Sequence, residues 1–265
     1  MNEIEKITSR DNRRLVNARR VRDGKVPDQI FIEGRRLVSE ALRSNLEIDE
    51  CLVVKGFRDK ELFDAAGKKT SRSAEIPEKI FNSIAGTEHS QGIILIAKRP
   101  KTSRETIEAN MGSAVLRVVI FLKEINNPAN LGAIMRTAES AGAAGVIVST
   151  NSADVFSPKA LRSAMGASFR LPVWENADFD EVLSWANEKE LDVTAADVSA
   201  KESYLQTDWT RPRLLLFGSE AHGLSEAYLK KITSTIRIPM DNDVESLNLA
   251  VSAGIILFEA RRQNT

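Results

Sequence analysis

Arg136 stands in a stretch that otherwise offers amides and small residues, Asn127-Pro128-Ala129-Asn130-Leu131-Gly132-Ala133-Ile134-Met135-Arg136. Two further stretches share its character. Leu216-Phe217-Gly218-Ser219-Glu220-Ala221-His222-Gly223-Leu224 sets a carboxylate between two glycines. Ile238-Pro239-Met240, followed by Glu245-Ser246-Leu247-Asn248, ends on a hydroxyl and an amide just before an apolar helix. The chemistry these types permit is specific. A helix start after Asn126-Asn127-Pro128 offers free N–H groups to an anion. Gly218 at a strand end lets backbone approach a flat ligand. A guanidinium stabilises negative charge that develops on oxygen. Gly218 to Gly223 matches neither the dinucleotide fingerprint, which needs three spaced glycines, nor the hydrolase elbow, because Glu220 stands where serine would be.

Several of these residues also have structural readings. Ser246 is placed to cap the final helix. Glu220 reads equally as a surface acid capping a helix that begins near Leu224. Arg136 taken alone is a helix-surface arginine, and His222 reads as a loop residue.

Elements that position the three stretches follow from apolar patterning. Val115 to Leu122 is a nearly continuous apolar run, as in a strand buried on both faces of a parallel sheet. Helix over 129–141, strand over 145–148, a helix opened by Pro158, helix over 179–190, strands over 191–195, 213–217 and 235–238, and a final helix over 246–261 complete this half. That helix carries Leu247, Val251, Ile255 and Phe258 as its expected buried stripe. Upstream, strands are expected over 29–32, 51–54 and 92–96, with helices over 34–44 and 60–66 and another starting at Pro77. Strands alternating with helices imply an α/β protein with a parallel sheet. Arg99-Pro100-Lys101-Thr102-Ser103-Arg104 has no apolar residue and marks a linker. The expected division is residues 1–98, a linker over 99–113, and residues 114–265.

Bulk composition narrows the classes. The 265 residues are 42% hydrophobic and 28% charged with zero net charge, which is ordinary for a soluble protein. Overall charge therefore points to no nucleic acid, but local charge does. Arg10, Arg13, Arg14, Arg19, Arg20 and Arg22 crowd a stretch in which Asp11 is the only acid. This reads as a solvated helix face or as a phosphate-binding arm. Arg35 and Arg36 add to the charge. Cys51 is the only cysteine, so no internal disulfide forms and a reducing cytoplasm fits. With His89 and His222 as the only histidines, no metal site is expected. No apolar run spans a bilayer, and Glu3 and Glu5 sit where a secretory signal would be basic and apolar.

In order and content the three stretches resemble the signature motifs of the SpoU (TrmH-like) RNA 2′-O-ribose methyltransferases of the SPOUT superfamily. The likeness covers Val115 to the C-terminus. Phe31-Ile32-Glu33-Gly34 with Leu37-Val38, and Ser90-Gln91-Gly92-Ile93, resemble the small substrate-binding domain that precedes many such catalytic domains. The resemblance implies a trefoil-knotted parallel α/β domain behind a smaller α/β RNA-binding domain. It implies S-adenosyl-L-methionine as cofactor, RNA as partner, ribosomal RNA above transfer RNA, and a homodimer with the site near the subunit interface. Gly218, Ile238, Met240 and Leu247 would line the donor site. Arg136, Asn130, Glu220, Ser246 and Asn248 would face or hold the reacting centre, with Asn130 orienting Arg136 or the substrate and Glu220 steadying the knotted loops or meeting Arg136 or Asn130, and Arg10, Arg13, Arg14, Arg19, Arg20 and Arg35 would meet RNA. The family proposal makes Arg136 a general base. A guanidinium stays protonated, so electrostatic support of the attacking oxygen is the better role. The family also has Gly two residues after Met240, where this chain has Asn242; Asn tolerates positive φ, so the turn survives. A silent RNA-binding or ribosome-assembly factor and a Rossmann-type enzyme are the rival classes.

Overall fold

The computed structural model describes residues 4–242 and 245–265; Glu3 lies outside them. No helix among the described residues is long and apolar enough to cross a membrane. The chain forms two compact units, Met1–Pro100 with Phe156–Phe169, and Lys101–Val155 with Arg170–Thr265.

The first unit contains β1 (Glu5–Lys6), α1 (Arg13–Arg22), β2 (Gln29–Glu33), α2 (Arg35–Arg43), β3 (Ile48–Val54), α3 (Lys60–Gly67), β4 (Ser73–Ile76), α4 (Glu78–Ile84) and β5 (Ile93–Lys98). Its strands form a mixed sheet in the order β1-β4-β3-β5-β2, with β5 antiparallel to both neighbours. Leu15, Ala18 and Val21 recur every three residues along α1 and pack with Phe31, Leu52 and Phe81 into one core. Pro77 is the residue capping α4 rather than its first helical residue. β1 and β4 were not expected: the first is two residues long, and the second carries Ser73 and Glu75, which hide its apolar pattern.

The second unit adds α5 (Arg104–Met111), β6 (Leu116–Leu122), α6 (Pro128–Ala141) and β7 (Ala143–Ser149). α7 (Pro158–Ala164) follows in sequence but clusters with the first unit. Then come β8 (Val173–Ala177), α8 (Phe179–Glu188), β9 (Asp192–Ala196), β10 (Glu202–Ser203), β11 (Arg213–Phe217), α9 (Glu226–Leu229), β12 (Ser234–Arg237) and α10 (Leu249–Gln263). Seven strands run in the order β10-β12-β9-β11-β6-β7-β8, every neighbouring pair parallel. β6, β7 and β11 are almost wholly buried, as covered parallel strands must be.

α10 corrects two expectations. It starts at Leu249, capped by the Asn248 side chain, which accepts from the N–H groups of Ala250 (2.9 Å) and Val251 (3.3 Å). Ser246 therefore is not the cap, because an Asx side chain two residues later already satisfies those donors. The buried stripe is Ala253, Ile256, Leu257 and Ala260, whereas Val251 and Phe258 are 50% and 52% exposed. The helix is apolar on both sides, so periodicity alone could not choose the inner one.

Candidate active site

β6 and β11 are adjacent parallel strands, with Phe217 opposite Leu122. From β6 the chain runs to β7 and β8 on one side, and β9 and β11 lie on the other. This reversal of strand order is where open α/β sheets leave a crevice at the carboxyl edge. The first stretch leaves β6 at that edge, and the second leaves β11 beside it. The third follows β12, which lies beyond β9 and parallel to it. At the usual strand spacing β12 is only about 10 Å from β11.

Hydrogen bonds join the three stretches. The Glu220 carboxylate accepts from the backbone N–H groups of Asn126 and Asn127 and from Asn130 Nδ2, each at 3.3 Å. Asn130 Oδ1 in turn accepts from Asn248 Nδ2 at 3.2 Å. Glu220 thus places a negative charge at the N-terminus of α6, where the helix dipole favours it. It does not cap the helix near Leu224; α9 begins at Glu226 and takes Ser225 as its cap residue. Asn127 supplies its own cap, its side chain accepting from the Ala129 N–H at 2.9 Å, and Pro128 occupies the first helical position.

Gly218 is buried, and its reason for being glycine is the loop itself. A Cβ there would lie 2.0 Å from the Gly223 carbonyl carbon and 2.3 Å from the Leu224 nitrogen. The loop closes on itself through paired Ser219 and Gly223 backbone bonds of 3.1 and 2.9 Å. His222 is exposed, and its N–H donates to Ser219 Oγ. Asn242 has φ +59°, the left-handed conformation that suits the glycine the family resemblance implies at this position.

Ile238, Met240 and Leu247 are half-buried, while Ser246 is exposed. The donor set suits S-adenosylmethionine. A buried glycine and three partly covered apolar side chains stand near the carboxyl edge of a parallel sheet, and few precisely placed polar groups accompany them. Arg136 is the ninth residue of α6, just over two turns along the helix. It is exposed and its guanidinium has no partner among the described residues. It is not joined to Asn130, which lies six positions earlier and so on a different face of the helix.

The N-terminal arginines separate into engaged and free groups. Arg14 pairs with Glu50, itself 3% exposed, and with Glu5 at 2.6 Å. Arg35 pairs with Asp59, holding that carboxyl below its ordinary range. Arg19 donates to the Arg10 carbonyl at 2.9 Å. Arg10, Arg13 and Arg20 are exposed. Cys51 is no nucleophile: burial pushes its thiol up to about 12.

Two features escaped the sequence. The N–H groups of Asn126 and Asn127 contribute through backbone, which residue type does not advertise. Lys123, 6% exposed at the end of β6, pairs with Glu124 and lies 5.0 Å from the Tyr228 ring. A lysine ending an apolar strand was its available signal.

Residues 117–258 match the SpoU rRNA Methylase family, and residues 31–103 match the RNA 2′-O ribose methyltransferase substrate-binding family. An uncharacterized tRNA/rRNA methyltransferase from Synechocystis is 28% identical over 98% of this chain and 95% of its own length. The 23S rRNA (guanosine(2553)-2′-O)-methyltransferase RlmP of Bacillus subtilis is 28% identical over 87% of this chain and 88% of its own. The crystal structure of an AdoMet-bound rRNA methyltransferase from Sinorhizobium meliloti superimposes with a TM-score of 0.85 at 25% identity, covering 98% of each chain.

Proposed function

This chain belongs to the SpoU rRNA Methylase family, and from that premise we propose that it methylates the 2′-hydroxyl of a ribose in ribosomal RNA, with S-adenosylmethionine as donor. The observation that carries the proposal is the hydrogen-bonded run Glu220–Asn130–Asn248, which ties three distant stretches into one cleft. Bound there, the donor supplies an electrophilic methyl group.

The chain's residues do the rest. Gly218, Ile238, Met240 and Leu247 surround the donor with backbone and apolar surface. Glu220, Asn130 and Asn248 are positioning residues that hold the walls in register, with Ser246 on the approach to them. Glu220 already accepts three N–H groups, so it is not the base, and the hydroxyl proton leaves to solvent as the methyl group is transferred. Arg136, free of any partner among the described residues, binds an RNA phosphate beside the target ribose and stabilises the oxygen as it attacks. Holding hydroxyl and methyl in line is the larger share, since pre-orientation supplies roughly 7–11 kcal/mol in favourable cases.

The two-part layout belongs to the same proposal: an RNA-binding segment over 1–98, a linker over 99–113 whose helix α5 packs into the second unit through the buried Ile107, and the catalytic segment over 114–265. Arg10, Arg13, Arg14, Arg19, Arg20 and Arg35 lie along the RNA path, with the exposed Arg10, Arg13 and Arg20 making the phosphate contacts. The exposed Val251 and Phe258, one helical face apart by seven residues, support a homodimer through α10. The trefoil threading is supported by the crossed strand order. A cytoplasmic site of action fits the reduced, buried Cys51.

The test uses purified protein, isotopically labelled donor and separated ribosomal and transfer RNA, with the product mapped at nucleotide resolution. Label on a ribosomal ribose is expected. Label on transfer RNA alone would reassign the substrate. No label, together with no heat on donor titration, would leave a silent RNA binder. Arg136→Ala should lower kcat by roughly 10²–10³-fold. Near-full turnover in Arg136→Lys would show that the planar fork is unnecessary.

A further inference from the structure

A cavity of about 550 Å³ lies in the first unit, apart in sequence from the three motif stretches. That volume is within the range of small-ligand sites. Its floor is the end of β2 and the start of α2, with Glu33, Arg36 and Leu37. The loop between α4 and β5 forms one wall, and the end of α7, with Arg162 and Met165, forms the other.

The loop wall is fixed at both ends. Glu33 is 5% exposed, and its two oxygens accept from the Gly86 N–H and the Thr87 hydroxyl, each at 2.9 Å. Gln91 Oε1 accepts from the Arg35 N–H at 2.6 Å. Glu33 is thereby committed to the loop, and the other carboxylate lining the cavity, Glu88, is exposed to solvent and forms no ion pair with Arg36 or Arg162 among the described residues. Arg162 Nη1 is sequestered from solvent and has no hydrogen-bond partner among the described residues. Arg36 is exposed and makes no ion pair among the described residues. A buried guanidinium donor left unpaired is costly, and an incoming acceptor relieves that cost. Two guanidiniums beside the apolar Leu37 and Met165 match a phosphate joined to a flat base.

We propose that this cavity receives an unpaired nucleotide of the substrate RNA, distinct from the one methylated, with its phosphate on Arg36 and Arg162 and its base against Leu37 and Met165. The proposal rests on the reading that RNA is the substrate. It adds a site that reads single-stranded structure, since sequence-specific RNA recognition targets splayed-out bases. A free mononucleotide shares the chemistry, and the test separates the two sources.

The test is filter binding of the full-length chain to labelled fragments of 23S ribosomal RNA and to a fully paired RNA duplex. The variants are the double substitution Arg36→Gln/Arg162→Gln, and Met165→Trp, which fills the cavity and keeps its charge. Thermal melting and donor calorimetry check that each variant is folded. Both variants should weaken the tightest fragment by roughly tenfold or more and the duplex by less than about twofold. The KM for RNA should rise while kcat holds. Fragment binding within about twofold of the unaltered chain in both variants overturns the proposal. So does displacement of the fragments by micromolar AMP, GMP, CMP or UMP, which would make the cavity a free-nucleotide site. Cavity-dependent RNA binding without methylation of any RNA would support this site while removing the catalytic reading, so the two fail separately.

Discussion

Each unit contains a glutamate that gathers a loop, and the two are built differently. Glu220 is exposed, sits within a loop, and accepts three donors at 3.3 Å. Glu33 is buried at the end of β2 and accepts two donors at 2.9 Å. Short bonds to a buried carboxylate are strong and costly to leave unmade, even where their donors, Gly86 and Thr87, reach the surface. Long bonds in water are individually weak and open to rearrangement. The parallel sheet therefore presents an edge whose walls adjust around a ligand, whereas the mixed sheet presents a cavity whose walls are set before anything arrives. This difference suits the proposed roles: a cleft that must close on a donor and release it, and a surface that recognises shape.

The largest effect expected from breaking the comparison is at Gly218. Gly218→Ala drives a methyl group to within 2.0 Å of backbone, which no side-chain rotation relieves. The loop must open, with loss of about 3 kcal/mol or more at this edge. Donor titration by calorimetry should give no measurable heat. Ordinary donor affinity in this variant would mean that the edge is even more adaptable than its long bonds suggest.

Glu33→Ala comes next. It leaves the Gly86 N–H and the Thr87 hydroxyl without their acceptor in a half-buried loop. Urea unfolding should show a loss of about 2–3 kcal/mol, the usual range for hydrogen bonds to a charged group. Glu220→Gln should behave in the opposite way. The amide keeps the shape but turns a donor toward the N–H groups of Asn126 or Asn127 and removes the charge at the start of α6. We expect kcat/KM to fall about tenfold with little change in melting. If Glu220→Gln melts as early as Glu33→Ala, the two carboxylates do the same job and the contrast disappears.

The fold was legible where burial is two-sided. Val115 to Leu122 reads directly as a covered strand and Arg213 to Phe217 as a strand, and the structure has β6 and β11 as neighbours at the centre of the seven-stranded sheet, although Val115 itself is exposed and precedes β6. It was illegible where an element is short or apolar all round. β1 has two residues, and α10 offers two apolar faces, so the wrong stripe was expected inside. The grouping of α7 with the first unit carries no compositional mark, because it depends on contacts far apart in sequence. At the candidate site, residue types pointed to Asn130, Glu220 and Asn248. Of the two partners the resemblance implied for Glu220, Asn130 is the one it meets; the Asn248–Asn130 bond could not be read, since one residue type serves as cap, acceptor or donor according to what stands opposite. Likewise, nothing in the run of arginines distinguished Arg14, held by Glu50, from Arg13, which is exposed.

Asn242 gives the smallest and sharpest test. Its φ of +59° places a side-chain-bearing residue where the chain prefers glycine. Asn pays little there because its short polar side chain accommodates the left-handed conformation, and a β-branched residue pays most. Asn242→Gly should keep kcat/KM within about twofold, since the backbone stays where it is. Asn242→Val should raise the KM for the donor, by an amount corresponding to roughly 1–2 kcal/mol of strain. The turn follows Met240 and leads toward Leu247, so the strain should appear in donor binding and leave the Glu33 cavity's RNA affinity unchanged. Equal activity in the glycine and valine variants would mean that this turn does not shape the cleft, and that the Asn130–Asn248 bond alone sets the position of the third stretch.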